Sequence, residues 1–214
     1  MTEPKSIGII GAGRVGTAIA RRALDAGYQV SLATARPPAE LELMLDFVAA
    51  GARAGTIETV VAESDILVLA LPLSRYRSLR PDLFAGRIVI DAMNYWAPTD
   101  GAMTEFERGL SSTEVLAGHL EGARLVRTFN HMGYHEIDGE ARRAGDPERR
   151  ALAVAGDDAS AKQAVAAFVD RIGFDPVDAG GLSTAGRFDV GSPIFGAPLG
   201  AQAMRAALAP PLAA

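Results

Sequence analysis

Residues 6–20 read "SIGIIGAGRVGTAIA", and this stretch decides the architecture. An apolar run ends in glycines, and Gly11, Gly13 and Gly16 fall in the pattern G-x-G-x-x-G. Val15, Ala18, Ile19, Ala23 and Leu24 then recur at helical spacing until Gly27 stops the helix. In such a turn the first glycine makes the tight bend, the second lets backbone approach a pyrophosphate, and the third allows close helix–strand packing. The helix that follows aims its free N–H groups and positive dipole end at the phosphates. The glycine pattern alone is weak evidence. Here it follows a strand and opens a helix, which is the context the chemistry needs.

Working outward, short apolar runs alternate with helical patterns. "YQVSLAT" (28–34) is strand-like, and "PPAELELMLDFVAAG" (37–51) opens a helix on prolines and closes it on glycine. "ARAGTI" and "ETVVAES" read as a short strand and a short helix. "DILVLALP" (65–72), "GRIVIDAMN" (86–94) and "GARLVRTFN" (122–130) are nearly continuous apolar runs, as strands buried on both faces require. The last 80 or so residues add a further unit. "RRALAVAGDD" (149–158) is a strand, and "DASAKQAVAAFVDRIG" (158–173) a helix capped by Asp158 or Ser160. "FDPVDAG" (174–180) is a strand, and "FGAPLGAQAMRAALA" ends in a short helix. The expectation is an α/β fold: a Rossmann-like, doubly wound, mostly parallel sheet with a C-terminal strand–helix–strand extension. Residues 1–214 form a single unit, with the dinucleotide-binding core at 1–130 and the extension 131–214 packed on it.

Composition narrows the chemistry. The 214 residues carry a net charge of −5 and no cysteine. Without cysteine there are no disulfides, thiolate nucleophiles or cysteine-ligated metal centres. A mildly acidic chain argues against nucleic acid as a partner. No apolar run approaches the roughly 20 residues that span a membrane. The opening "MTEPKSIGII" lacks a signal-peptide layout, so the sequence reads as cytoplasmic.

The end of the second strand selects the cofactor. An NAD site carries an acid there, about 20 residues past the glycines, for the ribose 2′-hydroxyl. This chain has "SLATARPP", with Thr34, Ala35 and Arg36 and no acid from Ser31 to Ala39. A hydroxyl and a guanidinium suit a 2′-phosphate, so NADP(H) is expected. Ligands of open α/β sheets bind beyond the carboxyl ends of the strands. The candidate cofactor contacts are therefore Gly11, Ala12, Gly13, Arg14, Val15 and Gly16 in the turn, and Thr34, Ala35 and Arg36 after the second strand. Leu71, Pro72 and Leu73 follow the fourth strand, and Met93, Asn94, Asn130 and His131 follow the next two.

No catalytic nucleophile and no metal centre are expected, because hydride transfer by a nicotinamide cofactor needs proximity and exclusion of water. His131 and His135 are four apart, but Gly133 interrupts their helix and Glu136 has no matching spacing. His131 is a candidate for the crevice wall, and His119 is structural or exposed. Arg75, Arg77 and Arg80, on the helix after Pro72, and Arg187 are candidates for a phosphate or a coenzyme tail. "GEARRAGDPERR" (139–150) reads as a solvated charged loop. Tyr95 and Trp96 either stack on a ring or pack.

With these residues in place, the chain resembles the NADPH:F420 oxidoreductase family, which passes hydride between NADP(H) and the deazaflavin coenzyme F420. The oxidoreductase domain of the STEAP metalloreductases is similar too. The resemblance rests on "IGIIGAGRVGTAIA", "ATAR", "DILVLALPL", "RIVIDAMN", "LVRTFN" and "AVAGDDASAKQAVAAFVDRIGFDPVDAGGL". It implies the pyrophosphate at Gly11 to Gly16, the 2′-phosphate at Thr34 and Arg36, and the nicotinamide near Leu71, Pro72 and Asn94. It also implies a homodimer, with "PLGAQAMRAALAPPLAA" available for the interface. Archaeal members carry two consecutive arginines where this chain has Ala35 and Arg36, and loop 130–145 and "DVGSPIFGAPLGAQAM" also differ. The resemblance thus carries NADP(H) further than the deazaflavin. A flavin, a quinone or a small carbonyl compound remains an alternative acceptor, and a non-catalytic NADPH-sensing module an alternative class. A β-hydroxyacid dehydrogenase would want a catalytic lysine and a long helical C-terminal domain. The only lysines are Lys5 and Lys162.

Overall fold

A computed structural model describes residues 4–106 and 111–209. Residues 210–214 of the apolar tail expected at a dimer interface lie outside the described residues. The strands are β1 (Ser6–Ile10), β2 (Gln29–Ala33), β3 (Arg53–Ala54), β4 (Ile66–Leu69), β5 (Ile88–Asp91), β6 (Arg124–Arg127), β7 (Ala151–Gly156) and β8 (Asp175–Gly180). The helices are α1 (Arg14–Asp25), α2 (Pro38–Val48), α3 (Ile57–Glu63), α4 (Pro81–Phe84), α5 (Ala97–Asp100), α6 (Ser112–His119), α7 (Tyr134–Gly139), α8 (Ala159–Arg171) and α9 (Ala201–Leu208). Short 3-10 turns occupy Leu73–Ser78, Thr104–Phe106 and Leu182–Phe188.

All eight strands join one sheet in the order β3-β2-β1-β4-β5-β6-β7-β8. β1 pairs in parallel with β2 on one side and β4 on the other, so the winding reverses at β1. Such a switch point opens a crevice beyond the strand ends. The continuous apolar runs are where the sheet is covered on both faces: every residue of β4 and β7 is buried. On one face α1 and α8 pack over Ile7, Ile9, Leu152 and Val154; on the other lie Leu67, Leu69 and Val89, under Leu116 of α6. Each such aliphatic side chain contributes about 1.5–3 kcal/mol on full burial.

The extension is the strand–helix–strand unit expected, but it enters the sheet reversed. β7 is antiparallel to β6, with Val126 opposite Gly156 and Arg127 opposite Ala155, and β8 then runs parallel to β7. The helix in the β6–β7 connection, α7, has six residues and packs against α1. Because of this register, Ala151 to Val154 project past the end of β6 and wall one side of the carboxyl edge. α8 is capped by Asp158, whose carboxylate accepts from the Ala161 N–H and is clasped by Arg124. The Arg124 guanidinium holds that carboxyl well below the usual range.

Candidate functional site

The three turn glycines differ in what surrounds them. Gly11 has φ +117°, and a Cβ there would lie 2.3 Å from the Ala70 carbonyl oxygen. A Cβ on Gly16 would lie 2.1 Å from the Gly11 carbonyl oxygen. Both positions are closed by backbone. A Cβ on Gly13 would meet nothing within 4 Å. Gly13 is also the N-cap of α1 and offers no side chain to its first turn, so those N–H groups stay available at the crevice. Thr17 sends its hydroxyl back to the Gly13 and Arg14 carbonyls.

A crevice of about 540 Å³ opens beside this turn. Gly11, Ala12 and Gly13 form its floor, Thr34, Ala35 and Arg36 one end, and Leu71 and Pro72 the side under β4. Leu41 and Met44 of α2 face Ile57 and Leu79 across an apolar slot. The Thr34 Oγ accepts from the Arg36 N–H at 3.0 Å, which leaves the hydroxyl proton free to donate elsewhere. Arg75 lines the same crevice. Neither guanidinium, that of Arg36 nor that of Arg75, makes a side-chain hydrogen bond among the described residues. Glu40, one residue beyond the acid-free stretch, also lines this end.

The other turn and strand-end candidates divide. Arg14 is exposed and donates to the Tyr134 hydroxyl at 3.2 Å, with its guanidinium over that ring. Val15 packs against the core. Leu73 and Met93 are buried in the opposite core cluster rather than along the crevice.

Asn94, Asn130 and His131 come together around a residue that sequence reading passed over. Arg127, the last residue of β6, is fully buried. Its Nη1 donates to Asp91 Oδ2 at 2.7 Å and to the Met93 carbonyl; its Nη2 donates to Asp189 Oδ1 at 2.5 Å and to Asn94 Oδ1 at 3.2 Å. Asn94 Nδ2 donates to the Asn130 carbonyl at 2.6 Å, and Asn130 Nδ2 to the Phe188 carbonyl at 3.0 Å. Phe129 turns the chain here with φ +66°. One clue was present: "IVIDAMN" and "LVRTFN" each place one charge in an otherwise apolar strand, and the two strands are neighbours. Asp189 carried no such signal.

The structure places His131 in the core rather than on the crevice wall. Its Nε2 accepts from the Ala153 N–H at 3.1 Å, and its ring lies edge-on to Phe188. Burial and the nearby Arg127 and Arg150 charges push its pKa down to about 3. Gly133 is the N-cap of α7, so His131 and His135 do not share a helix. Among the described residues no cluster of metal-ligating side chains occurs. His119 is structural, bonded through Nε2 to the Leu79 carbonyl.

The loop 139–150 is not uniformly solvated. Arg149 pairs with Asp170 and Asp175, and Arg150 with Glu140, both from buried positions. The helix expected after Pro72 is a 3-10 turn ending at Ser78; Arg77 pairs with Glu105 and Arg80 with Asp82. Arg187 donates to the Leu208 carbonyl. Tyr95 packs on Phe106, while Trp96 is exposed.

Comparison with known proteins agrees with this architecture. Residues 6–95 match the family described as NADP oxidoreductase, coenzyme F420-dependent. The rat metalloreductase STEAP3 is 27% identical over 185 residues, 86% of this chain and 35% of that protein. A glyoxylate reductase from Thermococcus gammatolerans is 42% identical over 73 residues, 33% of this chain and 20% of that protein. The chain thus spans about a third of the first and a fifth of the second. A solved hypothetical protein from Sinorhizobium meliloti superposes with a TM-score of 0.78 at 28% identity, covering 92% of this chain and 94% of that one. A candidate F420-dependent NADP reductase from Arthrobacter sp. FB24 superposes with a TM-score of 0.67 at 24% identity, over 84% and 86%.

Proposed function

We propose, from the match of residues 6–95 to the coenzyme F420-dependent NADP oxidoreductases, that this chain passes hydride between NADP(H) and a deazaflavin of the F420 type. The observation that carries the reading is the crevice. It joins an open Gly13 face to a Thr34–Arg36 end with no acid from Ser31 to Ala39.

In this reading the α1 first turn and the Gly11–Gly13 backbone bind the pyrophosphate. The Thr34 hydroxyl and the Arg36 guanidinium hold the 2′-phosphate, and Leu41, Met44, Ile57 and Leu79 enclose the adenine. Leu71 and Pro72 steer the cofactor toward the Asn94 end of the sheet. The nicotinamide supplies the hydride; the chain orients it, excludes water and provides no nucleophile. The protein is read as cytoplasmic and dimeric, without nucleic-acid or membrane partners; no described helix is long and apolar enough to cross a membrane.

The test is rapid mixing of the protein with NADPH and oxidised F420, followed through the deazaflavin's visible absorbance, with NADH in parallel. Bleaching with NADPH and not with NADH is the expected result. NADPH binding without bleaching removes the deazaflavin and points to a flavin, a quinone or a small carbonyl compound as acceptor. Tight NADPH binding without turnover of any acceptor leaves a sensing module.

A further inference from the structure

A second, smaller pocket of about 170 Å³ lies at the end of β5 and is separate from the dinucleotide crevice. Asn94, Tyr95, Phe106, Ser112, Asp189 and Val190 line it. β4 and β5 are adjacent strands, and Leu71–Pro72 and Asn94 follow their carboxyl ends. Neighbouring strand ends suit a second ring placed against the first.

Its polar groups are few and ordered. Asp189 Oδ1 is pinned by Arg127 at 2.5 Å and by Asn130 at 3.3 Å. Its Oδ2 has no hydrogen-bond partner among the described residues, and the side chain is 22% exposed. The Ser112 hydroxyl is likewise without a partner among the described residues. The Tyr95 and Phe106 rings, tilted on each other with centroids 5.1 Å apart, supply an apolar wall. Ser111 and Asn94 also line it but are engaged, by Glu114 and by Asn130 and Arg127, so among the described residues the pocket offers one fixed carboxylate acceptor and one rotatable hydroxyl donor beside two aromatic rings.

We infer that this pocket binds the imide edge of the hydride acceptor, with Asp189 Oδ2 accepting from the ring N–H and Ser112 donating to a flanking carbonyl. The inference rests on the hydride-transfer reading and narrows its acceptor. Flavins and deazaflavins both present a carbonyl–N–H–carbonyl edge. A quinone presents only carbonyls, which a carboxylate repels. Arg127 and Asn130 act as positioning residues, fixing which carboxylate oxygen faces the pocket.

The experiment compares lumiflavin with 3-methyllumiflavin, which lacks the imide N–H, binding to the full chain in the presence of NADP+. A site built around a hydrogen bond rejects the analogue that cannot make it. Wild type is expected to bind lumiflavin at least about tenfold more tightly. Asp189→Asn keeps an oxygen for Arg127 but turns the free group into a donor, and is expected to reduce the preference below about threefold. Ser112→Ala is expected to weaken lumiflavin several-fold, and it leaves the Arg127 network intact should Asp189→Asn fail to fold. Equal binding of the two rings by wild type, binding of neither while NADPH binds, or an undiminished preference in folded Asp189→Asn overturns the inference. Absence of NADPH binding by wild type overturns the hydride-transfer reading itself.

Discussion

The two ends of the carboxyl edge are built in opposite ways. At β1, β2 and β4 the crevice offers a glycine turn, uncapped helix N–H groups, and the Arg36 and Arg75 guanidiniums without side-chain partners among the described residues. At β5 and β6 the surface is made of side chains, locked by a buried Arg127 shared among Asp91, Asp189, Asn94 and the Met93 carbonyl. The first end spends little folding energy and keeps its donors for a ligand. The second consumes its donors internally and fixes geometry. Removing Arg127 should therefore damage the fold, and perturbing Gly13 or Arg36 should damage binding.

The largest effect is expected at Arg127. Arg127→Met leaves the buried Asp91 and the partly exposed Asp189 without their counter-charge. Removing one partner of a buried pair costs about 3–5 kcal/mol, which urea titration would read as a lowered midpoint. A loss under about 1 kcal/mol would mean the network is ornamental.

The glycine turn sharpens the contrast within one motif. Gly16→Ala drives a Cβ into the Gly11 carbonyl and is expected to destabilise the fold by about 2–3 kcal/mol. Gly13→Ala meets open space, so its cost is confined to the N-cap preference for glycine over alanine, about 0.5–1 kcal/mol. Its NADPH affinity should fall at least about tenfold, because the new methyl occupies the phosphate's approach. Calorimetry of both variants, for unfolding and for NADPH binding, reads the two outcomes together.

His131 tests the locked end by pH. Its pKa in the folded protein, about 3, lies below the ordinary histidine value of 6.5. The unfolded chain therefore takes up the proton first. The stabilisation is full above pH 6.5 and is lost as pH falls toward 3, at about 1.4 kcal/mol per unit. Between pH 6.5 and 4.5 this one group should remove about 2 kcal/mol. His131→Gln, which keeps an acceptor for the Ala153 N–H, should lack that share of the slope. Matching denaturation slopes for the two proteins would contradict this.

The smallest effect belongs to the open end. In the proposed reading Arg36→Ala removes one exposed charge-assisted contact to the 2′-phosphate, and it should cut NADPH affinity about tenfold while barely changing NADH. Stability should not move. A uniform loss for both cofactors would place Arg36 elsewhere than at the 2′-phosphate.

These expectations also mark what could be read in advance. The strands were legible because burial on both faces imposes uninterrupted apolar runs, as in β4 and β7. The α8 cap was legible to within two residues, Asp158 or Ser160, because an N-cap is a local bond; the structure gives it to Asp158, bonded to Ala161. The reversal of β7 was not, since strand direction depends on where α7 packs and leaves no mark on the strand's own residues. The histidines misled for a similar reason: a spacing of four promises a shared face only on one helix, and α7 starts after Gly133.

By itself the sequence determined the alternating architecture, the glycine turn and the Thr34–Arg36 end. Each is written in contiguous residues whose spacing has a direct physical meaning. Only the tertiary structure decided that Arg127 pairs with Asp189, 62 positions away, beside the small pocket, and that His131 belongs to the core. Those facts come from which strands and loops become neighbours, and in a single sequence nothing local encodes that adjacency.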